Sequence, residues 1–327
     1  MKAIGFAIAV ALLGSPLAAS AKEREAIKVS GPKNAAGLTD LVIGSFSVAF
    51  IRQKTDAAFA GSKNQFKAMG SIVKSTLSGV GAPEFQAITD AAYADFVARL
   101  GAAGFKLQDR AGLVADKAMA KVRYVPSGAE GTLQFGKDAK AKAVFFAPGA
   151  FGSNAIMDGE ISAGAPQGLG GIMGSFAAMA PLQGKVMFAV TNKQPVINVV
   201  YVIDYADAER YGGTYAIQAS VTTRASLAVV ETLSKVDTYN AKGATTSLVL
   251  AAPIGVGGDF GDLADTTTAG QKVDNVLGSL IGGLAGVGTN TYKSLTFTAD
   301  PAQYRTGAID AVQQANARFV ERLVAIR

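Results

Sequence analysis

Residues 84–113, EFQAITDAAYADFVARLGAAGFKLQDRAGL, decide the fold class. Pro83 just ahead of them suits a first helical turn. Phe85, Ile88, Ala92, Phe96, Val97 and Leu100 then recur at three- and four-residue intervals, which gives a helix one apolar face. Gly101 weakens its end, and Gly104 can take the left-handed conformation that stops a helix. Phe105 and Leu107 alternate with Lys106 and Gln108, the pattern of a half-buried strand. Asp109 is placed to cap a second helix, whose apolar face Asp116 interrupts. The stretch is therefore expected to be a helix–strand–helix layer.

Working outward, the apolar run LVIGSFSVAFI (residues 41–51) is a buried-strand candidate, expected beside that layer. Short links between strands and helices favour an α/β unit over residues 41–150. Residues 22–40 are polar, carry Gly31-Pro32, and read as a tether. Residues 52–82 are mixed. Residues 123–185 read as irregular, with one strand candidate at 143–147 and a glycine-rich part over 151–185. From 186 onward the pattern is β. Residues 196–203 (VINVVYVI) form a β-branched run. Tyr215 to Val229 alternates, with Ile217, Ala219, Val221, Ala225, Leu227 and Val229 on one face. Asn240–Gly243 is a turn leading into a partner strand over 245–252. Asp300 and Pro301 open a final helix with Ile309, Val312, Phe319 and Leu323 as its apolar stripe, and Arg318, Arg322 and Arg327 near its C-terminus. The expected fold class is α+β: an α/β-type N-terminal layer, an antiparallel β-rich part over 186–327, and a C-terminal helix. The two parts are compatible with one domain or two.

Composition narrows the chemistry. The 327 residues contain no Cys and no His. Disulfides, thiolate metal sites and every mechanism with a His base are excluded. Trp is absent as well. The net charge of +6 is compatible with anionic surfaces, but the basic residues are scattered and no nucleic-acid module is recognisable. Lys2, the apolar residues 3–13, Pro16 and the small-x-small Ala19-Ser20-Ala21 read as a signal peptide over residues 1–21, cleaved after Ala21. The expected location is periplasmic or associated with an outer membrane.

Five patterns invite a functional reading. Ser71 and Lys74 have the Ser-x-x-Lys spacing of a histidine-free acyl enzyme, but the same spacing recurs at Ser30 and Lys33, and no Lys-Thr-Gly follows. Gly131 to Lys137 has phosphate-loop spacing, but Asp138 stands where the magnesium-binding hydroxyl belongs. Asp259, Asp262 and Asp265 in a glycine-rich loop are a calcium candidate without EF-hand spacing. Gly278, Gly282 and Gly286, four apart, suit a close-packed, membrane-touching or self-associating segment, as does the similar run at 168–180. Tyr201, Tyr205, Tyr211 and Tyr215 lie at even steps and read as core and turn aromatics, since Asp207–Arg210 and Gly212-Gly213 are expected to break the strand. No catalytic residue and no cofactor follows from these patterns.

Leu100, Gly104, Phe105, Leu107, Asp109, Arg110 and Leu113 form a helix, strand and Asp-Arg start that resembles the α/β domain of the curli-secretion-channel and TolB amino-terminal families. The resemblance covers residues 84–120, although members are often anchored at a lipidated cysteine that this chain lacks. It implies a non-enzymatic role in envelope assembly, secretion or scaffolding, often as a homo-oligomer, and carries over no catalytic residue. The leading expectation is an exported envelope protein that contacts proteins or a membrane surface. A variant places the Tyr215–Val229 strand in an oligomeric membrane barrel, a pattern that a half-buried sheet also gives. The alternatives are a carrier of a lipid or other apolar ligand, and a serine hydrolase using Ser71 and Lys74.

Overall fold

The computed structural model describes residues 26–60, 69–135, 139–164, 168–212, 219–272 and 290–327, with Ala216 and Asn275. The expected signal peptide, Gly278, Gly282, Gly286, Lys137, Asp138 and Tyr215 lie outside them. In chain order the elements are strands β1 (Ile27–Ser30), β2 (Asp40–Ala60) and β3 (Met69–Ser78), helix α1 (Ala82–Ala102), strand β4 (Lys106–Gln108) and the short helix α2 (Ala111–Val114). Strands β5 (Tyr124–Val125), β6 (Ala129–Gln134), β7 (Ala139–Phe146), β8 (Ile156–Met157) and β9 (Ser162–Gly164) lead to helix α3 (Gly168–Asn192). Then come β10 (Val196–Tyr211), β11 (Ser220–Val229), β12 (Lys235–Tyr239), β13 (Thr245–Leu250), β14 (Ile254–Val256), β15 (Gly261–Asp265), β16 (Asn290–Ala299) and helix α4 (Pro301–Ile326). The fold is α+β. All strands but β5 and β8 belong to one mixed sheet, whose main path is β1-β13-β12-β10-β2-β3-β16-β15.

β2 organises this sheet. Its first half runs parallel to β10, Val42 to Phe50 against Val196 to Ile203. Its second half pairs antiparallel with β3 from Gln53 to Ala60, while β7 lies along its other edge. Past Ile203, β10 leaves β2 and continues with β11. The sheet therefore forks, and a strand predicted to end at Ile51 runs on to Ala60. The inward positions of that extension include Lys54 and Asp56, which hides it from a hydrophobicity pattern.

The fork is filled by charge. The Lys54 ammonium donates to Asp204 Oδ2 at 2.6 Å and to the Ala206 carbonyl at 3.1 Å. Arg210 bonds Asp56. Asp204 Oδ1 accepts the amides of Tyr205 (2.8 Å) and Ala206 (3.2 Å), at a bulge in the β10–β11 pairing. Burial alone would lower the Lys54 ammonium, but Asp204 and Asp56 outweigh it and hold it above its ordinary range.

Helices α1 and α4 lie side by side on one face. Phe85 stacks on Phe50 (4.4 Å between centroids), Phe96 meets Phe46 (5.8 Å), and Phe319 meets Tyr201 (6.0 Å). Asn316, fully buried, ties the layers together. Its amide donates to the Ala92 carbonyl (2.9 Å) and Asp95 Oδ2 (2.8 Å), and its oxygen accepts the Tyr201 hydroxyl (2.6 Å). Asp300 caps α4 by accepting the Gln303 amide at 2.8 Å.

Burial pushes the hydroxyls of Tyr201, Tyr205, Tyr239 and Tyr304 above the ordinary tyrosine value of 10.0. Such a phenol holds its proton more tightly folded than unfolded. Its contribution is complete below pH 10 and is lost as the pH rises through the folded values. Urea titrations between pH 8 and 12 are expected to show stability falling steeply above about pH 10. Tyr304→Phe removes a buried hydroxyl that has no partner, so it should flatten that fall without weakening the protein at pH 7.

Several expectations are corrected. The second helix of the layer is the single turn α2. Asp109 accepts the Ala111 amide (2.9 Å), and Asp116 turns the chain by accepting from Ala118 (2.8 Å). The tether is part of the fold: β1 pairs with β13, and Ile27, Ala35 and Leu38 are buried. Residues 123–185 hold five strands and most of α3, which forms despite its glycines and Pro181. The α/β unit and the β-rich part share one sheet through β2 and β10. Residues 207–210 continue β10 instead of breaking it. The described part of the alternating strand, β11, pairs with β10 and β14 and buries Leu227 and Val229.

Candidate functional site

A polar cluster is built where Gly44 interrupts the β2–β10 register. Ile43 faces Ile197 and Ser45 faces Asn198, so Gly44 is an extra residue. The bulge re-aims the strand. Ile43 and Phe46 both join the main core, while Ser45 turns to the α3 side together with Val42. Only glycine fits here. A Cβ would lie 2.5 Å from Val196 Cγ1, 2.6 Å from Asn198 Oδ1 and 2.9 Å from Lys185 Cδ.

Around Ser45 the bonds close on one another. Its hydroxyl lies 3.0 Å from Asn198 Oδ1, 3.1 Å from Glu160 Oε1 and 3.3 Å from Lys185 Nζ, and Lys185 pairs with Glu160. Ser45 and Lys185 are 4% and 3% exposed. Lys185 Nζ donates both to Glu160 and to the Ser45 oxygen. The pair therefore positions Ser45 and does not activate it. Arg110 borders the cluster, with Nε on the Gly44 carbonyl (3.2 Å) and its guanidinium 4.2 Å above the Phe151 ring. Arg110 Nη2, Tyr124 Oη and Asn198 Nδ2 are buried without a hydrogen-bond partner. Burial raises the Tyr124 hydroxyl against the pull of Arg110, so it stays a proton donor.

The residues singled out from spacing are placed elsewhere. Ser71 and Lys74 stand three apart on β3, which sends them to opposite faces; Ser71 is buried and Lys74 exposed. They form no dyad; in the cluster, Lys185 Nζ lies 3.3 Å from a different serine, Ser45. Asp262 and Asp265 likewise point to opposite faces of β15, and Asp259 lies in the turn before it. Asp265 accepts the Thr267 amide at 2.9 Å, and its bonds with Thr267 hold it below the usual carboxylate range. No group of three or more metal-ligating side chains occurs among the described residues. Gly131 sits in β6, where a Cβ would strike the Ile161 carbonyl at 1.7 Å, so it serves strand contact instead of a phosphate loop. Ser45, Glu160, Lys185 and Asn198 share no local spacing. The available signal was Gly44 inside an apolar strand, which marks a bulge or a close approach.

A second feature lies at the far end of the fork. β2 ends at Ala60 opposite Met69, β16 begins at Asn290 beside Gly70, and Gly212 packs on the Phe59 backbone. Phe59 (40% exposed), Tyr211 (64%) and Tyr292 (48%) all project at this end. They are the most exposed aromatic side chains among the described residues. Lys293 adjoins Tyr292, and Asn275 clasps the Tyr292 backbone with bonds of 2.7 and 3.0 Å. Met179, Leu182 and Met187 are exposed on α3. Among the described residues no helix is long and apolar enough to cross a membrane.

Comparison with protein-family models, curated proteins and solved structures found no match for this chain.

Proposed function

We propose that this chain is an exported, non-enzymatic envelope protein that works by contact, seating the far end of its sheet on a membrane surface. The gathering of Phe59, Tyr211 and Tyr292 at one end carries this reading. Exposed aromatic rings are costly in water and favourable at a headgroup boundary. Exposed Lys272 and Lys293 flank them, which suits an anionic surface. Exposed Asp207 and Glu209 nearby limit the electrostatic share, so binding should depend on the rings more than on salt. The signal-peptide pattern and the resemblance of residues 84–120 to envelope domains support the same reading.

The test is flotation of the full chain with vesicles of phosphatidylcholine and phosphatidylglycerol. The chain should float with the vesicles. The triple variant F59S/Y211S/Y292S should lose roughly tenfold or more in partitioning, since three aromatic contacts are removed, and keep its thermal transition. A chain that stays at the bottom of the gradient, or a triple variant that floats equally well, overturns the reading.

A further inference from the structure

Past the fork, the sheet turns one side to solvent, and its register fixes what stands there. Residues directly opposite on paired strands share a face. Phe59 lies opposite Gly70, and Ala57, Ile72 and Tyr292 form the next row. Behind that row Lys74, Thr55 and Lys140 stand abreast, and behind them Thr76, Gln53 and Lys142. The alternate positions Lys54, Asp56, Val73, Ser75 and Ala141 are buried, so this side is the outer one. Lys74, Lys140 and Lys142 are all exposed.

Three like charges thus gather without a counter-ion. Neighbouring strands lie about 4.8 Å apart, so the backbones of Lys74 and Lys140 are separated by about 10 Å, and Lys142 follows Lys140 by about 7 Å. These spacings are close to the screening length of about 8 Å in physiological salt, so the charges still repel one another. None of the three makes an ion pair among the described residues. The carboxylates that share this side, Glu130 opposite Val144 and Asp262 opposite Thr298, pair with none of them.

The order of the rows fits a bilayer boundary. The aromatic rings lead, and the two lysine rows follow about 7 and 13 Å behind Tyr292. With the rings at the headgroup boundary, the first lysine row lies in the headgroup layer and the second within a screening length of it. An acidic headgroup supplies the counter-ion that the protein does not.

We infer that this face selects anionic lipid, with Lys74, Lys140 and Lys142 meeting acidic headgroups while Phe59 and Tyr292 sit at the boundary. The inference rests on the membrane reading and adds the lipid class to it. The rings bind any bilayer, and the lysines supply the preference.

The test is flotation of the full chain, in physiological salt, with vesicles of phosphatidylcholine alone and with vesicles that also contain phosphatidylglycerol. The chain should float with both and partition roughly tenfold better onto the acidic vesicles, less than the full effect of three basic residues because Glu130 and Asp262 share the face. K74Q/K140Q/K142Q should float equally with both and keep its thermal transition. K28Q/K33Q/K106Q removes the same charge from exposed sites on β1, on the turn after it and on β4, and should keep the preference. A parent chain that floats with both vesicles alike overturns lipid selection and leaves the membrane reading standing. A preference retained in K74Q/K140Q/K142Q, or lost equally in both variants, does the same. A chain that floats with neither vesicle overturns the membrane reading and this inference with it.

Discussion

Lys54→Met is expected to cost about 3–5 kcal/mol, the usual result of removing one partner from a buried ion pair. The side chains of Lys54 and Asp204 are each 9% exposed, and their 2.6 Å contact lies in the fork between β2 and β10. Without the ammonium, Asp204 Oδ2 is a buried charge with no counter-ion, and the Ala206 carbonyl loses its donor. Asp56 loses the attraction of the nearby Lys54 ammonium but keeps Arg210. Adding Asp204→Asn should restore a good part of the loss. Asparagine retains an oxygen for the amides of Tyr205 and Ala206 and brings no charge. Urea midpoints at a constant denaturant slope read both changes. A Lys54→Met protein as stable as the parent would show that the pair contributes no stability.

Asn316→Leu is expected to cost about 3 kcal/mol, more than loss of a single ordinary hydrogen bond. Leucine has similar bulk, so packing of α4 on α1 survives while three bonds vanish. The Tyr201 hydroxyl, fully buried, loses its acceptor, and the Ala92 carbonyl and Asp95 lose a donor. Asp95 keeps Arg99 at 2.7 Å. Tyr201→Phe in the leucine background should return about 1–2 kcal/mol by removing the stranded hydroxyl. The double-mutant cycle isolates the coupling of Tyr201 and Asn316. Strictly additive costs would show that the bond carries none.

The elements legible in the sequence are those whose burial is apolar and local. Phe85, Ile88, Ala92, Phe96, Val97 and Leu100 predicted the buried face of α1; Val97 is half-buried against the core and the other five are buried. Asp300 and Pro301 marked the start of α4, and Leu41–Ile51 marked the core of β2. The misses have physical causes. Residues 52–60 turn Lys54 and Asp56 inward, against any hydrophobic pattern. Residues 168–192 are apolar and glycine-rich with Pro181 inside, a composition that reads as irregular and so hid α3. The Ser45 cluster draws from β2, β10, α3 and the turn at Asp158–Glu160, and only tertiary structure brings those segments together. Ser-x-x-Lys brings its two side chains together on a helix, and β3 is a strand, so the spacing that already recurred at Ser30 and Lys33 carries no dyad.

The pairing of β16 with β3 sets when this chain can fold. Gly70 meets Asn290 across the whole length between them, and α4 must reach α1. Until residues 290–327 have been synthesised, β3 has an open edge and α1 lacks its neighbouring helix. Contacts this distant in sequence form late and together. The last edge of the sheet at β3 and the second helix of the α1–α4 layer therefore close only when the C-terminal strand and helix are available.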